Sequence, residues 1–282
     1  MIMSISAKDV KHLRDITGAG MMDCKKALEE SNGDVEGAIE GLRKKGQKLS
    51  AKRAERQANE GVVIALTSHN KNNGVVLRLS CETDFVAKGE GFINLAQEIA
   101  GLALAELPDS LEDLLKLSYN SSITIGDKIV EQIGVIGEKI EIKEYEKIVT
   151  RAGEGQVLPY IHMGYRAGVI VAINKEGPQL EEAGKNVAMQ VAAMKPIAVN
   201  KNNVPQEIVD KEVEIGKELA RNEGKPESML EKIAIGRLNK FFKETTLLNQ
   251  AYVKDSKQTV ASYLESIEKG LTVSDFKHIS LG

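Results

Sequence analysis

The side chains that most often do chemistry are few in this chain of 282 residues and stand far apart. Neither Cys24 nor Cys81 belongs to a CxxC pair, so we expect two reduced thiols. No HExxH motif or Cys at ligand spacing accompanies the histidines, which predicts no metal site at His12, His69, His162 or His278. The three Gly-Lys pairs lack the remainder of a phosphate-binding loop, so we expect no cofactor and no direct nucleotide binding. These absences leave an enzyme without a motif but do not exclude one.

Two short strings carry side chains suited to binding. The first, TGAGMMDCKKAL, places Met21 and Met22 after a glycine turn at the start of a predicted helix. Adjacent helical residues cannot both point inward, so at least one of these flexible thioethers should be exposed.

The second string, CETDFVAKGEGF, lies between a predicted strand and a predicted helix. Two interpretations remain open. In one, Thr83 or Asp84 caps a helix and Phe85 packs over it as a hydrophobic staple. In the other, rigid elements on both sides hold Asp84 and Phe85 out on a loop tip, as an acidic and aromatic wedge.

The elements around these strings begin with a helical module. Apolar residues recur at helical spacing from Ser6 to Gly46 with two glycine breaks, which predicts three helices within residues 1–46. The stretch from Arg43 to Arg56 carries seven basic residues against one Glu and almost no large apolar side chain. We therefore expect a solvated, helical or flexible basic linker at residues 47–60, with a contact to RNA or an anionic surface as the alternative.

The remaining chain predicts an α+β fold of two related halves. GVVIALT and GVVLRLS form a β-hairpin, and an amphipathic helix follows from Lys88 to Leu107. The same order recurs from Gly155, which predicts half-domains with antiparallel sheets at residues 61–150 and 151–282. An insertion at residues 205–242 has the narrow apolar stripes of an antiparallel helical hairpin of coiled-coil type. A solvated appendage and a partner-binding arm both remain open for it.

The composition of the chain excludes further classes of protein. The chain is 42% hydrophobic and 28% charged with a net charge of -3, so its overall field does not favour nucleic acid, and we expect no direct nucleic-acid binding. Aromatic residues make up 4%, which leaves little material for stacking on bases. No apolar run approaches the roughly 18 residues of a membrane span, and the N-terminus lacks a signal-peptide pattern. We expect a cytoplasmic protein without a membrane partner.

The two binding strings and their order closely resemble the elongation factor Ts family. The resemblance extends through NGDVEGAIEGLRKKG, TDFVAK, YIHMGYRAGVIV, VAAMKP and GRLNKFFKETTLLNQ, and covers essentially the whole chain. It implies a guanine-nucleotide exchange factor for elongation factor Tu, which acts in translation elongation by binding and not as an enzyme. It also implies that residues 1–46 form a module like the ubiquitin-associated (UBA) fold, which docks on the GTPase domain of the partner.

Residue roles follow from the same resemblance. The positions that match the family's docking residues are Lys11, Arg14, Met21 and Met22. The family's TDFV sequence, in which the Asp and Phe displace the partner's magnesium ion, corresponds to Thr83, Asp84, Phe85 and Val86. His162 matches a histidine that approaches the partner's phosphate-binding region, and the hairpin touches the partner away from the nucleotide.

Two other functions remain open on the residues alone. An adaptor would bind a ubiquitin-like protein through the helical module, or RNA through residues 43–56. An unrecognised enzyme would use Cys81 or His162. A salt titration against RNA and the reactivity of the Cys81 thiol separate these possibilities from the exchange factor.

Overall fold

The computed structural model describes residues 5–282 and begins with the three helices that the sequence predicts. They are α1 (Ala7–Thr17), α2 (Met21–Glu30) and α3 (Val35–Arg53). α1 begins after Ser6, which exchanges hydrogen bonds with Asp9 in a capping box. The apolar stripes of the three helices meet in a small core formed by Val10, Leu13, Ala19, Cys24, Ala27, Leu28 and Ala38.

The first half-domain is a three-stranded antiparallel sheet covered by helices. Its elements are β1 (Glu60–Thr67), β2 (Asn73–Cys81), α4 (Asp84–Ala87), α5 (Glu90–Glu106), α6 (Leu111–Lys116), α7 (Ile125–Ile136) and β3 (Glu141–Val149). β2 is the central strand, and its register with β3 shifts between Arg78 and Leu79. The apolar stripe of α5 packs on the sheet through Phe92, Leu95, Ala96 and Ile99.

The second half-domain repeats this sheet and adds further elements. They are β4 (Gln156–Ile161), β5 (Ala167–Ile173), α8 (Glu181–Met194), α9 (Gln206–Asn222), α10 (Glu227–Thr245), β6 (Ala251–Tyr252), β7 (Asp255–Thr259), α11 (Val260–Ile267) and β8 (Val273–Ser280). The strand order β4-β5-β8 matches β1-β2-β3, and α8 covers this sheet as α5 covers the first. The predicted α+β fold of two repeated halves is confirmed. The sequence did not predict β6 and β7, because their largely polar residues lack apolar alternation.

The two sheets pack against each other, and glycines at matching positions allow the close approach. A Cβ on Gly74 would lie 2.5 Å from Val157 Cγ1, and one on Gly168 would lie 2.7 Å from Val63 Cγ1. Each glycine is the second residue of the central strand of its sheet. The core between the sheets consists of small and β-branched residues: Val63, Ala65, Val76, Ile148, Val157, Ile170, Ala172 and Ile279. Burial of both faces explains why these strands are almost continuously apolar in sequence.

The third helix continues beyond the predicted end of the N-terminal module. It passes Gly46 and ends at Arg53, and a Cβ on Gly46 would come within 2.7 Å of the Val130 carbonyl oxygen of α7. Arg53 contacts the Glu82 carboxylate. Most of residues 47–60 are nonetheless exposed, and a helix is one of the two forms that the sequence predicts for this basic stretch. The division of the chain into domains stays a prediction.

The inserted segment is the predicted antiparallel hairpin, formed by α9 and α10. A Cβ on Gly216 would lie 3.1 Å from the Ala234 Cα, so the two helices approach closely at this point. Lys217 pairs with Glu231 across the helices at 2.9 Å. The hairpin is slightly longer than predicted, because α10 continues to Thr245.

Candidate functional site

The string CETDFVAKGEGF forms a tight connection between β2 and α5. Within it α4 is a single helical turn, and the Thr83 Oγ1 before it accepts a hydrogen bond from the Val86 amide at 3.5 Å. Phe85 is 85% exposed, whereas Ala87 is buried. The predicted helix cap is confirmed at Thr83. The predicted hydrophobic staple is wrong, because the Phe85 ring lies in solvent and does not pack over the helix. We call residues 83–86 the TDFV turn.

Asp84 stands beside Phe85 as an ionised carboxylate. Its Oδ2 accepts a hydrogen bond from Lys88 Nζ at 2.6 Å, and this bond lowers the pKa of Asp84 below its ordinary value. Both side chains are well exposed, and solvent screens ion pairs of this kind so that they contribute little to stability. The Asp84 carboxylate can therefore leave Lys88 for another cation or donor at small cost.

Two carboxylates that the sequence analysis did not select hold the base of the TDFV turn. Glu138, which follows α7, accepts hydrogen bonds from the Glu82 and Thr83 amides, each at 3.0 Å, and from Thr83 Oγ1 at 2.6 Å. In return, the Glu82 carboxylate accepts one from the Lys139 amide at 2.6 Å. Glu82 and Glu138 are ordinary acidic residues far apart in the chain, so no motif or spacing rule connects them.

Glu82 also ties the turn to the end of α3. Arg53 and Arg56 donate hydrogen bonds to its two carboxylate oxygens at 2.7 and 2.9 Å. Burial acts to raise the pKa of Glu82, but the bonds from the Lys139 amide and the two guanidinium groups outweigh it and lower this pKa to about 2. Glu82 therefore remains ionised at neutral pH and joins α3 to the base of the turn.

The loop that joins β4 to β5 borders the turn from the second half-domain. It carries His162, which is exposed and has its Nδ1 3.1 Å from the Tyr160 hydroxyl. The next residue, Met163, is 86% exposed. Between this loop and the turn lies an open cleft of about 510 Å³, whose lining includes Asp84, Ala87, Lys88, Gly164, Tyr165 and Arg166. The structure thus brings Asp84 and the loop of His162 to one cleft between the half-domains, which we call the junction cleft.

The other predicted contact residues lie on the N-terminal module. Lys11 and Arg14 are exposed one turn apart on α1. Met21 and Met22 are 43% and 74% exposed at the start of α2, so both thioethers are open to solvent. Within the described part of the chain, none of these four residues lines the junction cleft. They form a separate exposed set.

The buried Cys81 ends β2, directly before the TDFV turn and its Glu82 base. Burial, followed by the negative charge of Glu138, raises the pKa of Cys81 to about 12, so its thiol is a poor nucleophile at neutral pH. In residues 5–282, no three His, Cys, Asp or Glu side chains are grouped to hold a metal ion. Over the same range, no helix is both long and apolar enough to cross a membrane.

The architecture defines the class of protein: two repeated α+β half-domains with an N-terminal three-helix module, a helical hairpin and an exposed acidic and aromatic turn. Residues 82–282 match the family model for Elongation factor TS. The chain is 50% identical over 280 residues to Elongation factor Ts of Flavobacterium psychrophilum, and 51% and 45% identical over 279 residues to those of Cytophaga hutchinsonii and Porphyromonas gingivalis. Each comparison covers 99% of this chain and 99% of the relative. The chain belongs to the elongation factor Ts family of translation elongation factors, as its sequence strings indicated.

Proposed function

We propose that this protein is a guanine-nucleotide exchange factor for elongation factor Tu. It binds the Tu–GDP complex, displaces the partner's magnesium ion and promotes release of GDP, so that GTP can bind. Membership of the family supports the choice of partner. The observation that carries the mechanism is the 85% exposed ring of Phe85, held on a short turn between a strand and a helix. An aromatic side chain in this setting contributes little to its own fold and offers a large apolar area to another protein.

The mechanism is displacement without covalent chemistry. A GTPase holds GDP largely through magnesium, which bridges the phosphates, and through backbone amides that cradle them. Phe85 inserts apolar surface between the partner's elements that carry these groups, with Thr83 and Val86 at the base of the wedge. Asp84 competes for the donors that hold the water shell of the magnesium ion. The protein therefore acts as a binding factor and not as an enzyme.

The effect on GDP is reciprocal. If the bound exchange factor raises the dissociation constant of GDP by some ratio, bound GDP must raise the dissociation constant of the exchange factor by the same ratio. Coupling free energies between two sites are typically about 1–3 kcal/mol, and a dedicated exchange factor should reach the upper end of that range. GTP then rebinds and releases the factor. The exchange rate rises, and the final GDP/GTP equilibrium does not change.

Other exposed residues anchor the complex away from the wedge. Lys11 and Arg14 supply charge, and Met21 and Met22 supply an adaptable apolar contact, toward the partner's GTPase domain. His162, exposed on the loop between β4 and β5, reaches toward the partner's phosphate-binding region. The helical hairpin contacts the partner at a distance from the nucleotide.

Release of a fluorescent nucleotide tests this function directly. Elongation factor Tu is loaded with fluorescent GDP, excess GTP is added, and release is recorded with and without catalytic amounts of this protein. We expect multiple turnovers of accelerated release. An unchanged release rate would refute the proposal. Binding to RNA with a steep salt dependence, in place of Tu binding, would favour the adaptor function instead.

A further inference from the structure

The TDFV turn cannot set its own direction. α4 has four residues, and a single helical turn is not stable in isolation because nucleation is unfavourable. Phe85 lies in solvent, so few of its own contacts restrain it. The hydrogen bond between Thr83 Oγ1 and the Val86 amide is long, at 3.5 Å. Ala87 anchors the far end of the turn in the core, so the orientation of Asp84 and Phe85 also depends on what holds the backbone immediately before them.

Glu138 holds that backbone at three points. Its carboxylate binds the Glu82 amide, the Thr83 amide and the Thr83 hydroxyl at 2.6–3.0 Å, and hydrogen bonds to an ionised acceptor are stronger than neutral ones. The Thr83 hydroxyl donates a hydrogen bond to Glu138, so the Thr83 oxygen remains free to accept a hydrogen bond from the Val86 amide. One side chain thus fixes the end of β2 and also orients the cap of α4.

Glu138 itself is supported by rigid structure. It is half-buried and lies between the end of α7 and the start of β3, next to a chain reversal at Gly137. The reciprocal bond from the Lys139 amide to Glu82 joins the same two segments a second time. The position of the carboxylate is therefore set by the sheet and helices of the half-domain, and not by the turn.

We propose that Glu138 is a positioning residue for nucleotide exchange: its carboxylate fixes the angle at which Asp84 and Phe85 project toward the partner. This inference rests on the proposed function. The three hydrogen bonds that Glu138 accepts all come from residues 82 and 83, so Glu138 acts on the partner through the turn. Its contribution should appear in the rate at which bound partner releases GDP. It should not appear in the affinity for the partner, which the docking surfaces on α1 and α2 dominate.

The test is a titration of each variant against Tu carrying fluorescent GDP, with stopped-flow detection. For Glu138→Ala we expect the maximal release rate to fall by about tenfold, because the turn then spends only a fraction of its time in the productive orientation. The concentration at half-maximal rate should change by less than about threefold, within the range of surface substitutions. Glu138→Gln retains an oxygen that can accept from both amides, so it should recover most of the lost rate.

Two controls separate positioning from general destabilisation. Glu141→Ala removes a nearby carboxylate that pairs with Lys139 and makes no hydrogen bond to the turn, so it should release GDP at the unmutated rate. Amide hydrogen exchange should accelerate at residues 82, 83 and 86 in Glu138→Ala, with the core strands unchanged. If Glu138→Ala does not fold, Thr83→Val removes the two hydroxyl bonds, to Glu138 and from the Val86 amide, and keeps both amide bonds to Glu138, so it should show a smaller loss of the same kind.

A mutant cycle with a variant that lacks both Asp84 and Phe85 decides whether Glu138 acts through the turn. If it does, Glu138→Ala should have little further effect when Asp84→Ala and Phe85→Ala are already present. The inference is overturned if Glu138→Ala releases GDP at the unmutated rate, or if its loss is equally large with and without these two side chains. If the proposed function itself is wrong, the unmutated protein will not accelerate GDP release. This result differs from those that would overturn only the positioning role of Glu138.

Discussion

Replacing Phe85 with alanine should slow nucleotide exchange and leave the stability of the fold intact. The ring is 85% exposed in the free protein, so the free energy of unfolding should change by no more than about 0.5 kcal/mol, as for other surface substitutions. In the proposed mechanism the same ring is buried in the partner as GDP leaves, which for a Phe side chain is worth about 1.5–3 kcal/mol. Since about 1.4 kcal/mol corresponds to a factor of ten, Phe85→Ala should slow GDP release roughly 10- to 150-fold.

The assay is the fluorescent GDP release described above, paired with chemical denaturation of each purified variant. Ile267→Ala is a matched control, because Ile267 is also a partly exposed large apolar residue but lies on α11, far along the chain from the turn. Phe85→Leu keeps much of the apolar area and should give an intermediate rate. Release by Phe85→Ala at the unmutated rate would remove the wedge from the mechanism. A large loss of stability would show that the ring supports the fold.

Three further predictions concern packing and titration. Gly168→Ala should lower the free energy of unfolding by about 1–3 kcal/mol in a denaturant titration, because the added Cβ overpacks the space between the sheets. Gly101 lies in open space on α5, so Gly101→Ala should raise the free energy of unfolding by up to about 1 kcal/mol. Equal effects at the two glycines would contradict the close approach of the sheets. The folded-state pKa of Glu82 lies at about 2, below its ordinary value of 4.5, so ionised Glu82 stabilises the fold above about pH 4.5 and this contribution disappears as the pH falls toward 2. Glu82→Gln should thus cost about 1–2 kcal/mol at pH 7 after allowance for solvent screening, and a cost that does not shrink between pH 5 and pH 3 would count against the assignment. Burial raises the pKa of Cys81 to about 12, so in a Cys24→Ser background a disulfide reagent at pH 8 should label this thiol only as fast as the protein opens, and immediate labelling would disprove that protection.

Much of the fold follows from the sequence because its main elements have strong periodicity. The β-hairpin of the first half-domain alternates little, yet its β-branched residues and turn formers identify it, and the repeat from Gly155 confirms the pattern within one chain. The close packing of α3 on α7 could not be predicted in the same way. It depends on Gly46, and a glycine has no side chain that would indicate burial in the sequence.

The candidate site also contains a part that the sequence could predict and a part that it could not. Local strings were sufficient to select the TDFV turn, because capping chemistry and an aromatic residue at a loop tip are visible within a few residues. The junction cleft was not predictable, because it pairs Asp84 with the loop of His162 from the other half-domain. Glu82 and Glu138 were missed for the same reason, since their bonds join segments that only the folded sheet brings together.

The failed staple and the two missed carboxylates have one physical explanation. A hydrophobic staple would fix the start of α4 by burying Phe85, and the same ring cannot then be offered to a partner. A turn that exposes its apolar residue must be held by groups on its other side. Hydrogen bonds to ionised carboxylates meet this need, because they are strong and directional and require no apolar side chain. Glu138 binds the backbone of the turn, and Glu82 binds Arg53 at the end of α3. Together they fix the turn in the way that a staple would have done, and they leave Phe85 free.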